Sequence, residues 1–137
     1  MAAVLGGVSG HAGLFGTAFD LAVLMQMNLQ SGLYGDRSYL QSKTLSEFTD
    51  LYDNINHRGL GWDKAPLDKE SNYVAPSASK SSFGHSGFTG TMVWADPEQE
   101  LVFIFLSNRV YPRADNNELN RQKIRKIIHE IVYRAIE

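Results

Sequence analysis

At 137 residues the chain has the length of one domain, and residues 1–137 are expected to form a single unit with its own core. Hydrophobic residues make up 43% and charged residues 20%, a balance that excludes intrinsic disorder. The net charge of −2, from 13 basic and 15 acidic residues, gives no basic field for nucleic acid, and the lack of cysteine excludes disulfides and thiolate metal sites.

Met1 opens a moderately apolar stretch without a basic leader or a long apolar run, so no signal peptide is expected there. No segment approaches the ~20 apolar residues of a membrane span. Gly6, Gly7, Gly10, Gly13 and Gly16 alternate with Val, Leu and Phe, which reads as a tight loop. Thr17 and Asp20 then have capping-box spacing. Leu21, Leu24, Met25 and Leu29 continue at helical spacing, and Gly32 stops the helix.

A second helix is expected from Thr44, with Glu47 reaching back to its cap and Leu45, Phe48, Leu51 and Tyr52 on its buried side. Leu60-Gly61-Trp62 reads as a short strand. From Lys64 to Ser82 the chain is polar and rich in Ser and Pro, a surface loop. Thr91–Ala95 and Leu101–Ser107 are strands joined through the turn signal Asp96-Pro97-Glu98-Gln99. Every position from Leu101 to Leu106 is apolar, so that strand is expected to be covered on both faces, as a central strand is, and to present an open edge where no partner strand is supplied. Asp115 and Glu118 are spaced as a further capping box. A long helix follows, with Ile124, Ile127, Ile128, Ile131 and Ala135 as its core stripe, flanked by Val132 and Ile136. The basic run Arg121, Lys123, Arg125 and Lys126 reads as its solvated face. The element order predicts an α+β fold, with an antiparallel sheet of three to four strands packed against the long C-terminal helix.

Other chemistries find little support in the residues. His11, His57, His85 and His129 have no metal-ligand spacing, so no metal is expected. Gly7-Val-Ser9-Gly-His11 lacks the final glycine and the preceding strand of a nucleophile elbow. No phosphate-binding glycine loop appears, and no cofactor is expected. Asp50 and Asp53 read as a solvated face, and Trp62 and Trp94 as core.

Gly84-His85-Ser86-Gly87 is on spacing alone a glycine-flanked turn, but it runs through Gly90 directly into the hairpin. The run from Gly84 to Asn108, with its Asp-Pro-Glu turn and its strand ending in Ser107-Asn108, resembles the C-terminal signature of the class C β-lactamase and penicillin-binding-protein-like family. Leu60-Gly61-Trp62, the Ser9–Asp20 loop and helix start, and Tyr111-Pro112 before an amphipathic helix resemble other parts of the same family in the same order. The chain thus resembles the C-terminal part of such a domain. The wording His11-Ala-Gly-Leu-Phe15 is closest to members that follow a glycoside hydrolase.

The resemblance implies a serine hydrolase site for acyl-enzyme chemistry on β-lactams, D-Ala peptides or esters. In it His85 would replace the lysine of the Lys-Thr-Gly triplet and share a proton near the nucleophile. Ser86 would bond a substrate carboxylate or amide, and Gly87 would keep the strand open. The N–H of Phe88 would be one of two oxyanion-hole donors, each worth roughly 10²–10³ in rate. Asn108 would brace the site or cap a turn.

The family's Ser-x-x-Lys nucleophile and Tyr-x-Asn base have no convincing counterpart. Ser77-Ala78-Ser79-Lys80 matches literally but lies in a Ser/Pro loop five residues before His85. Tyr52-Asp53-Asn54 has the right residue types in the wrong place. The isolated chain is therefore expected to be inert, with nucleophile and base supplied from elsewhere. The alternative is a non-catalytic binding or accessory module, attached to a glycan-cleaving enzyme in one version. The expected partners are a small-molecule or peptidoglycan-derived substrate, no nucleic acid, and a second copy paired along the open edge of strand 101–107. The resemblance implies a periplasmic or extracytoplasmic location.

Overall fold

A reciprocal cap starts the first helix. The Thr17 hydroxyl accepts from the Asp20 N–H at 3.2 Å while the Thr17 N–H donates to the Asp20 carboxylate at 2.7 Å. These bonds also hold the Asp20 carboxyl below the usual carboxylate range. The computed structural model describes residues 4, 6–7, 13–52, 55, 57–65 and 73–136. Helix α1 (Ala18–Leu29) ends where Gly32, at φ +92°, folds its N–H back onto the Met27 carbonyl at 2.9 Å. A side chain at Gly32 would collide with the Leu40 carbonyl, so that position needs glycine twice over.

The elements that follow are β1 (Leu33–Tyr34) and β2 (Arg37–Ser38), α2 (Ser42–Thr49), β3 (Asp63–Lys64), β4 (Phe83–Ser86), β5 (Met92–Asp96), β6 (Leu101–Phe105), α3 (Glu118–Arg121) and α4 (Ile124–Ile136). Strands β1 and β2 make a small hairpin. The other four form one antiparallel sheet in the order β3-β4-β5-β6. The fold is α+β, as the element order predicts.

The two sheet faces follow from the register. Phe83 lies opposite Ala95, and Ala95 opposite Val102; with Val93 they meet Met25 and Leu29 of α1. Met92, Trp94, Phe103 and Phe105 point the other way and pack on Ile128 and Val132 of α4. Adjacent residues of β6 thus go to opposite helices, which is why that strand has no polar position. Strand β6 is covered on both faces and lies at one end of the sheet, so its outer edge is the open one expected for strand 101–107.

Several expected boundaries shift for local reasons. Leu60-Gly61-Trp62 is a turn closed by Gly59 N–H to Trp62 C=O at 2.9 Å, with Gly61 at φ +92°, so the strand begins at Asp63. Helix α2 starts two residues before Thr44 without a side-chain cap, and only Leu45 of its expected apolar side is buried; Phe48, Leu51 and Tyr52 are exposed. The expected 64–82 surface loop is not all surface, because Val74, Ala75 and Ser82 are buried. Residues 66–72 of it, residues 9–12 of the Ser9–Asp20 loop start (His11 among them), and Asp53 and Asn54 lie outside the described residues.

The C-terminal helix is the largest correction. Lys123, at φ +52°, breaks it into α3 and α4. Asp115 bonds Arg113 instead of capping α3. Helix α4 buries Arg125, His129 and Tyr133, while Ile127 and Ile131 are 53% and 59% exposed. Ile128 and Val132 of the expected apolar side do pack on the sheet, but the most buried positions are polar groups that find partners there. Arg125 donates to Asn120 Oδ1 at 2.8 Å and to the Thr91 carbonyl at 3.4 Å. His129 Nδ1 accepts from Ala75 N–H at 3.2 Å, and the Tyr133 hydroxyl donates to Asp96 at 2.6 Å.

Candidate functional site

Strand β4 carries the Gly84–Gly90 segment. Its register pairs His85 with Val93 and Ser86 with Met92, and the ladder runs one residue further through Gly87 N–H to Thr91 C=O at 2.8 Å. Gly90 N–H then donates to the Gly87 carbonyl at 2.9 Å and closes the turn. On the other flank, β3 pairs only with Phe83 and Gly84. Among the described residues no strand covers β4 beyond Gly84 on that side. Gly87 points its N–H at β5, so strand alternation turns the N–H of Ser86 toward the uncovered flank.

The glycines have steric reasons. A side chain at Gly84 would run into the Val93 carbonyl and the Trp94 ring, fixed core atoms. One at Gly87 would meet only the Thr91 hydroxyl, and one at Gly90, where φ is +101°, would meet Leu119 and Ser107.

His85 is exposed, on the sheet face it shares with Val93. Its Nδ1 lies 2.8 Å from the Ser86 carbonyl, which can only accept. Nδ1 therefore carries a proton and donates to that carbonyl. Ser86 is half-buried on the opposite face, toward Tyr73. Tyr73 in turn donates to Asp63, whose other oxygen pairs with Arg58 at 3.0 Å. Burial and then the Asp63 carboxylate push the Tyr73 phenol well above its ordinary range, so Tyr73 stays a neutral donor. Phe88 is 74% exposed. Asn108 is exposed at the head of a turn, where its carbonyl accepts from Tyr111 N–H at 3.4 Å.

The structure thus places His85 and Ser86 at the end of β4, Gly87 one ladder bond beyond it, and Phe88 in the turn that follows. It gives Asn108 a turn contact of the kind the sequence also allowed. It adds Arg109, which the sequence reading passed over. The Arg109 N–H donates to the Thr89 carbonyl at 2.9 Å, Nε to the Phe88 carbonyl at 2.7 Å, and the guanidinium lies 4.5 Å from the Phe88 ring centroid. Its outer nitrogen reaches the Asn116 carbonyl at 2.7 Å. No local pattern marks Arg109, since its partners lie up to 21 residues away.

Ser77-Ala78-Ser79-Lys80 lies in turns, not in a helix. The Ser77 hydroxyl donates to Glu130 at 3.0 Å, and the Ser79 hydroxyl to Asp96 at 2.6 Å. Asp96 is fully buried and also accepts from Ser79 N–H, Glu98 N–H and Tyr133. Burial alone would raise its carboxyl, but these donors prevail and hold it below the ordinary value. The literal motif is therefore a brace between the hairpin turn and α4. Among the described residues no group of three His, Asp or Glu is placed to hold a metal, and no helix is long and apolar enough to cross a membrane.

Comparison with known proteins agrees with this geometry. The β-lactamase family model matches residues 1–126. Proteins from Salmonella gallinarum and Salmonella typhi whose name is that of a D-alanyl-D-alanine carboxypeptidase are each 37% identical over 116 residues, covering 85% of this chain and 27% of theirs. The chain thus spans about a quarter of the length of these relatives. A crystal structure of a β-lactamase from Mycobacterium bovis superposes with a TM-score of 0.64 at 21% identity, over 88% of this chain and 44% of that one, and supports the fold. With its hairpin, its glycine-flanked strand end and this match over most of its length, the chain belongs to the β-lactamase family of serine-hydrolase-related proteins.

Proposed function

We propose that this chain supplies the substrate-binding strand and one oxyanion donor of an acyl-enzyme hydrolase acting on a D-Ala peptide, β-lactam or ester. The observation that carries the reading is the uncovered flank of β4 beyond Gly84. An extended substrate backbone adds there as a strand, with the Ser86 N–H and carbonyl facing it. Two residues on, Phe88 opens the Gly87–Gly90 turn, and its N–H is the group assigned to a carbonyl oxygen of that substrate, where charge develops during acyl transfer. His85, exposed at the mouth, offers its Nε2 as a hydrogen-bonding group. Asn108 supports the hairpin end behind it.

Ser77 is held by Glu130, so nucleophile and base come from a further stretch of polypeptide, and the 137 residues alone bind without turning over. The D-alanyl-D-alanine carboxypeptidase name of the Salmonella relatives favours a D-Ala peptide among the three substrates. The test is a titration of the ¹⁵N-labelled chain with N-acetyl-D-Ala-D-Ala. Shifts confined to residues 84–90 are expected, with no hydrolysis of a chromogenic cephalosporin. Absence of any shift there would sink the reading.

The end position of β6 also supports pairing with a second copy along Leu101–Phe105. An all-apolar strand end without proline or charge is a ready template for another strand. Light scattering should then give a dimer with slowly exchanging amides in β6. A monomer with fast exchange there would exclude it.

A further inference from the structure

Phe88 is the exposed aromatic nearest the triplet, yet it is held from two sides. Its carbonyl accepts from Arg109 Nε at 2.7 Å, and the same guanidinium lies 4.5 Å from its ring centroid. Arg109 is itself anchored by three acceptors on the 114–117 loop, the carbonyls of Ala114 and Asn116 and the side chain of Asn117. Its own N–H holds the Thr89 carbonyl. An exposed phenylalanine ordinarily moves among rotamers; this one has its backbone pinned and one ring face occupied by a planar cation. The remaining face is apolar and, with the side chain 74% exposed, open to solvent just beyond the end of β4.

We propose that Phe88 is a specificity-determining residue and Arg109 its positioning residue, the pair forming a rigid shelf for an apolar or aromatic side chain on the acyl residue of the substrate. The inference rests on the substrate-strand reading above and narrows it. Stacking on a ring already held in place avoids the entropy of ordering it, so the preference should be larger than for a mobile aromatic. Arginine is required because lysine offers neither the planar face nor the several donors that reach Phe88 and the 114–117 loop together.

The experiment compares binding of N-acetyl-D-Ala-D-Ala and N-acetyl-D-Phe-D-Ala to the full chain by NMR. It is repeated for Arg109→Ala, Arg109→Lys and Phe88→Ala, with ¹⁵N order parameters and thermal midpoints for each. The wild type should bind the phenylalanyl peptide about tenfold more tightly. Phe88→Ala should reduce the preference to within about twofold, and so should both Arg109 variants. Order parameters at Phe88 and Thr89 should fall from about 0.85 to below about 0.6 in Arg109→Ala. Phe88→Ala removes only an exposed side chain, so it remains informative if Arg109→Ala fails to fold. Equal affinities in the wild type, or a preference that survives Phe88→Ala, overturn the shelf while leaving the binding strand intact. Unchanged order in a folded Arg109→Ala overturns the positioning role. If neither peptide shifts residues 84–90, the substrate-strand reading falls and the shelf falls with it.

Discussion

His129 stacks on Phe103 with ring centroids 4.4 Å apart and planes 25° from parallel, at the centre of the contact between α4 and the sheet. The imidazole is fully buried, and Nδ1 accepts from the Ala75 N–H. The proton of the neutral ring is therefore on Nε2, which has no hydrogen-bond partner among the described residues. Burial lowers the pKa of His129 to about 4, against the weaker pull of Asp96 and Glu130.

That burial sets an acid limit on stability. The folded pKa lies below the unfolded value near 6.5, so the unfolded chain binds the proton first. The His129 contribution is complete above about pH 6.5 and is lost as pH falls toward 4, by about 3 kcal/mol in all. Denaturant midpoints between pH 7 and 4 should show this loss, and His129→Gln, which cannot titrate, should flatten it. A midpoint unchanged over that range would contradict the neutral buried ring.

Asp96 should be the costliest single carboxylate to remove. Four donors converge on it inside the protein, from Ser79, Glu98 and Tyr133. Asp96→Ala leaves them without an acceptor and should cost about 3–5 kcal/mol in chemical denaturation. Its lowered pKa places a second acid loss below the ordinary carboxylate value, at lower pH than the His129 loss.

The two glycines of the triplet region should separate folding from binding. Gly84→Ala forces a side chain into the Val93 carbonyl and Trp94 and should cost about 3 kcal/mol. Gly87→Ala meets only the Thr91 hydroxyl, at the end of a side chain that can turn away. It should stay within about 1 kcal/mol of wild type while weakening the shifts induced by N-acetyl-D-Ala-D-Ala. Equal stability losses in the two variants would refute this distinction.

Ser77→Ala should change stability and not chemistry. It removes one exposed bond to Glu130, a loss of about 1 kcal/mol or less. An ester- or cephalosporin-hydrolysing activity that disappeared in Ser77→Ala would show the turn to be a nucleophile site after all.

The sequence alone determined the family, the hairpin, the α1 cap and the location of the candidate strand end. These are local signals: Thr17 and Asp20 are one helical turn apart, and Gly84–Asn108 is a continuous run. The tertiary structure decided what depends on partners distant in the chain. It turned α4 so that His129, Arg125 and Tyr133 face inward, where residues 75, 91, 96 and 120 bond Nδ1 of His129, the Arg125 guanidinium and the Tyr133 hydroxyl, and it left Ile127 and Ile131 outside. It also joined Arg109 to Phe88 across 21 residues. Apolar periodicity registers none of these, because a buried polar group is stabilised only by a partner whose position the fold supplies.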